Sequence, residues 1–325
     1  MRAMKRHLSV GLAAIAAMSM GPVAAQDRLP NYPTKPVRLL VTVAPGAGAD
    51  TITRAVGQIL ADRIGQSVVV DNRAGGGGVI ATELVARAAP DGYTLLSYAD
   101  ALLLLGATKR VTFDVLKTFE PIVNMTSQPY ILVIQPSLPI SNLKEFVAYS
   151  QKVTLTYGSS GIGGTVHIGM ERLAKATGAK LLHVPFKGTA PSLIAVMGGE
   201  IHMVAGSSIA ASAAARTGKV KALATLGPKR IPTMPDLPTF AEQGLPDYKL
   251  TNSYRLFAPA GTPKPVLALI NRIVSDGMHS PQMAQKLAAD GAQPGERATS
   301  EEIKAQLVKE YAELERQVKE LKLTF

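Results

Sequence analysis

The chain has 325 residues, of which 46% are hydrophobic and 18% charged, and its formal net charge is +11. That length suits two domains with enough core to be stable alone, and the composition is that of a soluble globular protein. The absence of cysteine excludes disulfides, thiolate metal sites, a cysteine nucleophile and a lipid-modified cysteine at a mature N-terminus.

Residues 1–25 read as a secretory signal. Arg2, Lys5 and Arg6 form a positive start, Leu8 to Met20 an apolar run too short to span a bilayer comfortably, and Val23-Ala24-Ala25 a small-residue cleavage site before Gln26. The competing reading is a buried N-terminal helix. No other stretch is apolar for long enough to span a membrane, so the mature protein is expected to be exported and soluble, in the periplasm. Removing the three positive charges of the signal from +11 leaves +8. The basic residues are scattered and tryptophan is absent. A diffuse positive field suits small anions or an anionic surface, whereas a nucleic-acid surface needs clustered Lys and Arg with interleaved aromatics.

Val37–Val43 is a continuous apolar run, as in a strand buried on both faces. Pro45-Gly46-Ala47-Gly48 then turns sharply, and Ile52, Val56, Ile59 and Leu60 share a helix face. Asp50 or Thr51 can cap that helix and Gly65 can end it. A strand feeding a glycine turn and a helix N-terminus presents unpaired N–H groups and the positive end of the helix dipole, which suits an anion.

Ser67–Val70 is a short strand, followed by Asp71-Asn72-Arg73 and the four glycines Gly75–Gly78. The next helix places Ile80, Leu84, Val85 and Ala88 on one face. After the turn Ala89-Pro90-Asp91-Gly92, Tyr93–Ser97 is a strand opening into Tyr98-Ala99-Asp100. This β-α-β-α-β alternation predicts a parallel sheet covered on both faces.

Tyr130–Ile134 is a strand and Asn142–Ser150 a helix. Val153–Tyr157 is a strand running into Gly158-Ser159-Ser160-Gly161-Ile162-Gly163-Gly164-Thr165, before a helix carrying Val166, Met170, Leu173 and Ala174. The logic of the first turn is repeated there. Leu181–Val184, Ile201–Ala205 and Val220–Leu226 are further strands, and Pro191–Met197 is helical. Residues 227–247 are a Pro- and Gly-rich connection, Tyr248–Ala258 is extended, and the C-terminal part is helical. Its apolar faces are Leu267, Ile270, Ile273, Val274 and then Ile303, Leu307, Tyr311, Leu314, Val318. Two anion-type turns in separate α/β units can clamp one small anion between two helix N-termini, which is a binding cleft and needs no catalytic group.

At this point the sequence resembles the periplasmic solute-binding proteins of tripartite tricarboxylate transporters, the Bug or TctC-type receptors. The resemblance covers nearly the whole mature chain. It rests on Tyr32-Pro33-Thr34-Lys35-Pro36-Val37-Arg38, Ala44-Pro45-Gly46-Ala47-Gly48-Ala49-Asp50, Asp71-Asn72-Arg73-Ala74-Gly75 and Ala89-Pro90-Asp91-Gly92-Tyr93-Thr94-Leu95-Leu96. The Tyr157–His167 turn, Val184-Pro185-Phe186-Lys187-Gly188, Leu237-Pro238-Thr239 and Ala258-Pro259-Ala260-Gly261-Thr262-Pro263 complete it. Each is weak alone; together and in this order they are specific.

The resemblance implies an α/β type II periplasmic binding protein, a Venus flytrap of two doubly wound domains joined by two crossing strands. It implies a first domain of residues 26–127 plus 253–325 and a second of 128–252. It implies capture of a carboxylate by the two glycine turns and transient delivery to membrane permease subunits, by a monomer without cofactor or metal. Carried onto this chain, the first turn supplies Pro45, Gly46, Ala47, Gly48 and Asp50, and the second Ser159, Gly161, Gly163 and Thr165. Ser97, Tyr98, Ala99, Gly206 and Ser207 line the far end, with Tyr254 and Arg255 on the second crossing strand. The chain departs from the family pattern at Ala47, where relatives often have glycine, and at Gly206, where many carry an acid that would pair with a ligand ammonium. It departs again at Tyr254-Arg255, where an arginine facing the cleft would pair bidentately with a second carboxylate.

Each reading has a plainer alternative. Asp50 reads as a helix cap sooner than a ligand contact, since a carboxylate beside a bound carboxylate is unfavourable. His167 reads as structural, His183 and His202 lie on strands, and no spacing makes a metal site. Gly75–Gly78 is either a third anion loop or a tight turn. Lys187 and Arg255 each face the cleft or solvent. Tyr98 and Tyr254 are stacking platforms or walls. The rival class is an enzyme: Gly46-x-Gly48 after a strand, with Asp71 ending the next, imitates a dinucleotide fingerprint, but Thr51 stands where its third glycine belongs. A Gly-x-Ser-x-Gly elbow is absent as well. A third class is a sensory receptor docking on a membrane sensor.

Overall fold

The computed structural model describes residues 29–321 apart from 44, 46, 47, 160, 187, 188 and 290. The signal-like segment 1–25 lies outside the described residues, as do Gly46, Ala47 and Lys187.

The chain alternates from the start. β1 (Val37–Val41), α1 (Gly48–Ile64), β2 (Val68–Asn72), α2 (Val79–Ala86), β3 (Thr94–Ala99), α3 (Ala101–Ala107) and α4 (Val115–Thr118) make the opening half. β4 (Phe119–Ile134) leads into α5 (Leu143–Lys152), β5 (Leu155–Ser159), α6 (Thr165–Thr177), β6 (Leu181–Pro185) and α7 (Thr189–Met197). β7 (Met203–Ser207), α8 (Ser208–Arg216) and β8 (Lys221–Thr225) close that half. β9 (Thr251–Pro259) returns to the first half, followed by α9 (Lys264–Met278), α10 (Pro281–Ala289), β10 (Gln293–Pro294) and α11 (Ser300–Leu321).

The strands form one sheet in the order β2-β1-β3-β9-β4-β7-β5-β6, with β8 and β10 also paired to β4. β1 is parallel to β2 and β3, and β5 is parallel to β6 and β7. β4 and β9 are antiparallel to each other and to their outer neighbours. β4 is the crossing element: Phe119–Pro129 pairs with β9, and Tyr130–Ile134 pairs with β7 and β8. The sequence showed only its second half as a strand. Pro121 and Pro129 argue against a central strand because proline cannot donate to a ladder. The structure accommodates this with register shifts between Pro121 and Val123 and between Asn124 and Thr126.

Both faces of each half are covered. Val56, Leu60, Leu267, Ile270, Ile273 and Val274 from α1 and α9 cover one face of the first half. Leu102, Leu103, Leu105, Ile303 and Leu307 from α3 and α11 cover the other. Each such side chain, fully buried, contributes on the order of 1.5–3 kcal/mol. The second half has the same two-sided arrangement around β4, β5 and β7. Two expectations are corrected. α1 starts at Gly48, so Asp50 sits inside its first turn rather than before it. On α2 the buried residues are Ala81, Thr82 and Val85, while Ile80 and Leu84 are exposed. That helix is apolar nearly all round, so its periodicity could not choose a face.

Candidate functional site

β5 delivers the chain to the second glycine turn, and α6 starts from it. Gly161 has φ 128° and Gly163 φ 72°, conformations that a Cβ would strain. Ser159, fully buried, pins the turn from below. Its Oγ lies 2.6 Å from His183 Nε2 and accepts the Gly161 N–H at 3.0 Å. His167 Nδ1 accepts the Gly163 N–H at 3.0 Å, and Gly164 donates to the Gly161 carbonyl at 3.2 Å. Gly164 is the N-cap of α6 and offers no side-chain acceptor. The first amides of the helix are therefore left toward the cleft, where the helix dipole is positive.

Beneath the turn, the rings of Tyr157, His183 and His167 stack, with the two imidazoles 3.9 Å apart. Tyr157 donates its hydroxyl to Glu171 at 2.6 Å. Burial holds His167 below its ordinary value. Burial, then the neighbouring His167, push His183 down to about 4. Both rings are neutral at pH 7, as the Gly163 bond requires. The unfolded chain takes up protons near pH 6.5 and the folded one resists until about 4, so the stabilisation is complete above 6.5 and is lost as pH falls. After discounting for partial exposure, thermal unfolding should show a loss of about 1 kcal/mol between pH 6.5 and 5, roughly 2–4 °C. His183→Gln should flatten that slope.

The first half supplies the facing wall. The Tyr98 hydroxyl donates to the Gly77 carbonyl. Gly78, at φ 100°, passes so close that a Cβ would lie 2.2 Å from the Tyr98 oxygen. Glycine is required there, and the contact holds the Gly75–Gly78 loop against β3. Arg110 donates from Nη2 to the Gly76 carbonyl at 2.9 Å. Between this wall and the second turn lies a cavity of about 120 Å³, lined by Gly77, Tyr98, Arg110, Gly161, Gly163 and Thr165 together with α3.

This cavity brings together Tyr98, Gly161, Gly163 and Thr165 of the residues expected from sequence. Gly46 and Ala47 lie outside the described residues, and the other expected residues are placed elsewhere. Pro45 is exposed. Gly48 approaches Tyr254, its Cβ position lying 3.9 Å from that hydroxyl, and Ala99 is the β3 partner of Tyr254. Asp50 is buried and accepts from Arg54 Nε at 3.0 Å and Asn72 Nδ2 at 2.9 Å. Ser97 is fully buried, 2.6 Å from Thr53 Oγ1 beneath the start of α1. Gly206 packs against Ala211, and Ser207 caps α8. Arg255 is 4% exposed and committed to the crossing strands: it donates to Asn124 Oδ1 at 2.9 Å and to Asp100, with Glu310 at 3.4 Å. Sequence reasoning missed Arg110 and the wall made by α3. The four glycines were the one signal that pointed there.

A larger groove of about 1080 Å³ runs beside the crossing strands. Asp100, Glu296, Glu310 and Glu313 line it among its basic residues, so the carboxylates oppose an added anion there. The smaller cavity, with a guanidinium and a helix N-terminus and no acid among its described lining, is the better carboxylate site. Among the described residues no cluster of His, Asp and Glu is arranged to hold a metal, and no helix is long and apolar enough to cross a membrane.

A model of the "Tripartite tricarboxylate transporter family receptor" matches residues 52–323. Protein BugT of Bordetella pertussis is 32% identical over 84% of this chain and 85% of its own length. Among solved structures, R. palustris Rpa4515 with adipate is similar at 30% identity and TM-score 0.81, over 90% of this chain and 99% of that one. MatC from Rhodopseudomonas palustris with bound malate is similar at 30% identity and TM-score 0.78, over 88% and 100%. The periplasmic binding protein BugD is similar at 30% identity and TM-score 0.78, over 90% and 99%. Family and neighbours are solute-binding receptors rather than enzymes, and the fold is that of a periplasmic binding protein.

Proposed function

The chain belongs to the tripartite tricarboxylate transporter family of receptors, and on that premise we propose that it captures a small organic carboxylate in the cleft between its halves and hands it to membrane permease subunits. The observation that carries the reading is the uncapped N-terminus of α6 opening into a small cavity that holds no acid among its described lining. The adipate and malate bound by two neighbours support the ligand class. Residues 26–127 with 253–325 act as one lobe and 128–252 as the other, with β4 and β9 as the hinge. A ligand held by both lobes stabilises the closed state by contacts it does not make in the open one. The first amides of α6, at Thr165 and Val166, hold the proximal carboxylate, and the wall that carries Tyr98 faces them from the other lobe. Residues 1–25 direct the chain to the periplasm, where it works as a monomer.

The test is thermal unfolding of the chain from Gln26 against dicarboxylates, tricarboxylates, aromatic acids, amino acids and nicotinamide dinucleotides. A ligand at about 100 times its dissociation constant adds roughly 2.7 kcal/mol, a shift of a few degrees. A shift with one class of carboxylate supports the reading. A shift with dinucleotide alone overturns it. Deletion of the gene should abolish uptake of that acid; uptake left intact with gene induction lost would make the protein a sensor instead.

A further inference from the structure

Arg110 stands where no motif calls for a cation. It follows α3, held by the bond from its N–H to the Leu105 carbonyl. Its guanidinium lies over Gly77, where a Cβ would come within 3.0 Å of Nη1. Glycine at φ 62° lets the guanidinium rest against the loop, where a side chain would push it back by a few tenths of an ångström. One of its five N–H groups goes to the Gly76 carbonyl. Among the described residues no carboxylate pairs with it, although most other arginines of the first half, Arg38, Arg54, Arg73 and Arg87, each have one. Across the cavity stands the N-terminus of α6. A guanidinium and a helix N-terminus thus line the same cavity of about 120 Å³. Ala101, Leu104 and Leu105 give the cavity an apolar side, beside the hydroxyl-bearing Tyr98 and Thr108.

An apolar side and two positive groups are together the complement of a short chain carrying a carboxylate at each terminus. The guanidinium fork matches a carboxylate bidentately, and the helix amides match the other. The volume is about four times a water molecule's share of liquid, far below that of a drug-sized pocket. We infer that Arg110, lying on the Gly75–Gly78 loop, is the second carboxylate subsite and that the ligand is a short unbranched α,ω-dicarboxylate. This rests on the receptor reading above. It also assigns the four-glycine run a purpose: the run shapes a bed for the arginine, and its own amides need not bind the anion.

The experiment is calorimetric titration of the wild type, Arg110→Met and Arg110→Lys with succinate, glutarate and adipate, and with the monoacids butyrate, valerate and hexanoate. Arg110 is exposed, and thermal unfolding of the unliganded variants checks that they fold. The wild type should prefer a diacid over the monoacid of equal length by at least about tenfold. Arg110→Met should lose about tenfold or more toward the diacid and nothing toward the monoacid, while Arg110→Lys keeps part of the preference. Equal diacid affinity in Arg110→Met, or equal losses for diacid and monoacid, overturns the subsite. Silence toward all diacids while a monoacid, tricarboxylate or aromatic acid binds also overturns it and leaves the receptor reading standing. Silence of the wild type toward every carboxylate overturns both.

Discussion

Replacing Arg255 with methionine should lower the free energy of unfolding by about 3–5 kcal/mol. The guanidinium is 4% exposed and joins four pieces of chain: Asn124 on β4, Asp100 before α3, Glu310 on α11 and its own strand β9. Methionine replaces the stem and leaves the two carboxylates without their cation. Asp100 keeps the Ser253 N–H at 3.0 Å, and Glu310 keeps the Gln306 Nε2 donor at 2.8 Å but loses its buried cation. Burial already pushes the Glu310 carboxyl up, with Arg255 the largest influence holding it down. In the variant that restraint is gone. A carboxyl whose folded value lies above its unfolded one destabilises the fold at high pH and ceases to as pH falls through the folded value. The deficit should therefore be largest near pH 8 and narrow toward pH 5. In thermal unfolding the loss is on the order of 10 °C for a chain of this size. A variant with wild-type stability but no carboxylate affinity would return Arg255 to the role of ligand contact.

Replacing Gly161 with alanine should weaken carboxylate binding by roughly 10- to 100-fold, because a hydrogen bond to a charged group contributes about 1.5–3 kcal/mol. There is room for the methyl group, since nothing lies within 4 Å of its position. The obstacle is the backbone angle of 128°. Gly161 is held on both sides, its N–H by Ser159 Oγ and its carbonyl by the Gly164 N–H. Relaxing its φ to a negative value rotates the peptides that aim the α6 amides at the cavity. The unliganded protein should lose only about 1–2 kcal/mol, because the strained position lies on a surface turn. Calorimetry of binding and thermal unfolding of the free protein separate the two effects. Undiminished affinity would mean that the turn does not hold the ligand.

Much of the frame was legible because its signals are local. The strand-turn-helix at Val37–Leu60, the glycine turn before α6 and the apolar faces of α9 and α11 each follow from neighbours a few residues apart. What the sequence hid was decided at long range. β4 carries two prolines that its register shifts absorb, and nothing local says that one strand serves both halves. The run Ala101-Leu102-Leu103-Leu104-Leu105 has no period that distinguishes helix from strand. Arg255 looked available because its partners Asn124, Asp100 and Glu310 are 131, 155 and 55 residues away. Ser159 and Thr165 looked alike as hydroxyls beside a glycine turn. His183, from another strand, takes Ser159 as a buried brace, while Thr165 stays at the cavity.

The most direct measurement is a titration of nitrogen-15-labelled protein with adipate and malate, followed through its backbone amide resonances and the guanidinium of Arg110. If the carboxylate sits on the second glycine turn, the largest shifts fall on Gly161, Gly163, Gly164, Thr165 and Val166, and saturate together. Saturable binding whose shifts cluster instead around Asp100, Glu296 and Glu310, leaving the turn unmoved, would place the ligand in the larger groove and contradict the account.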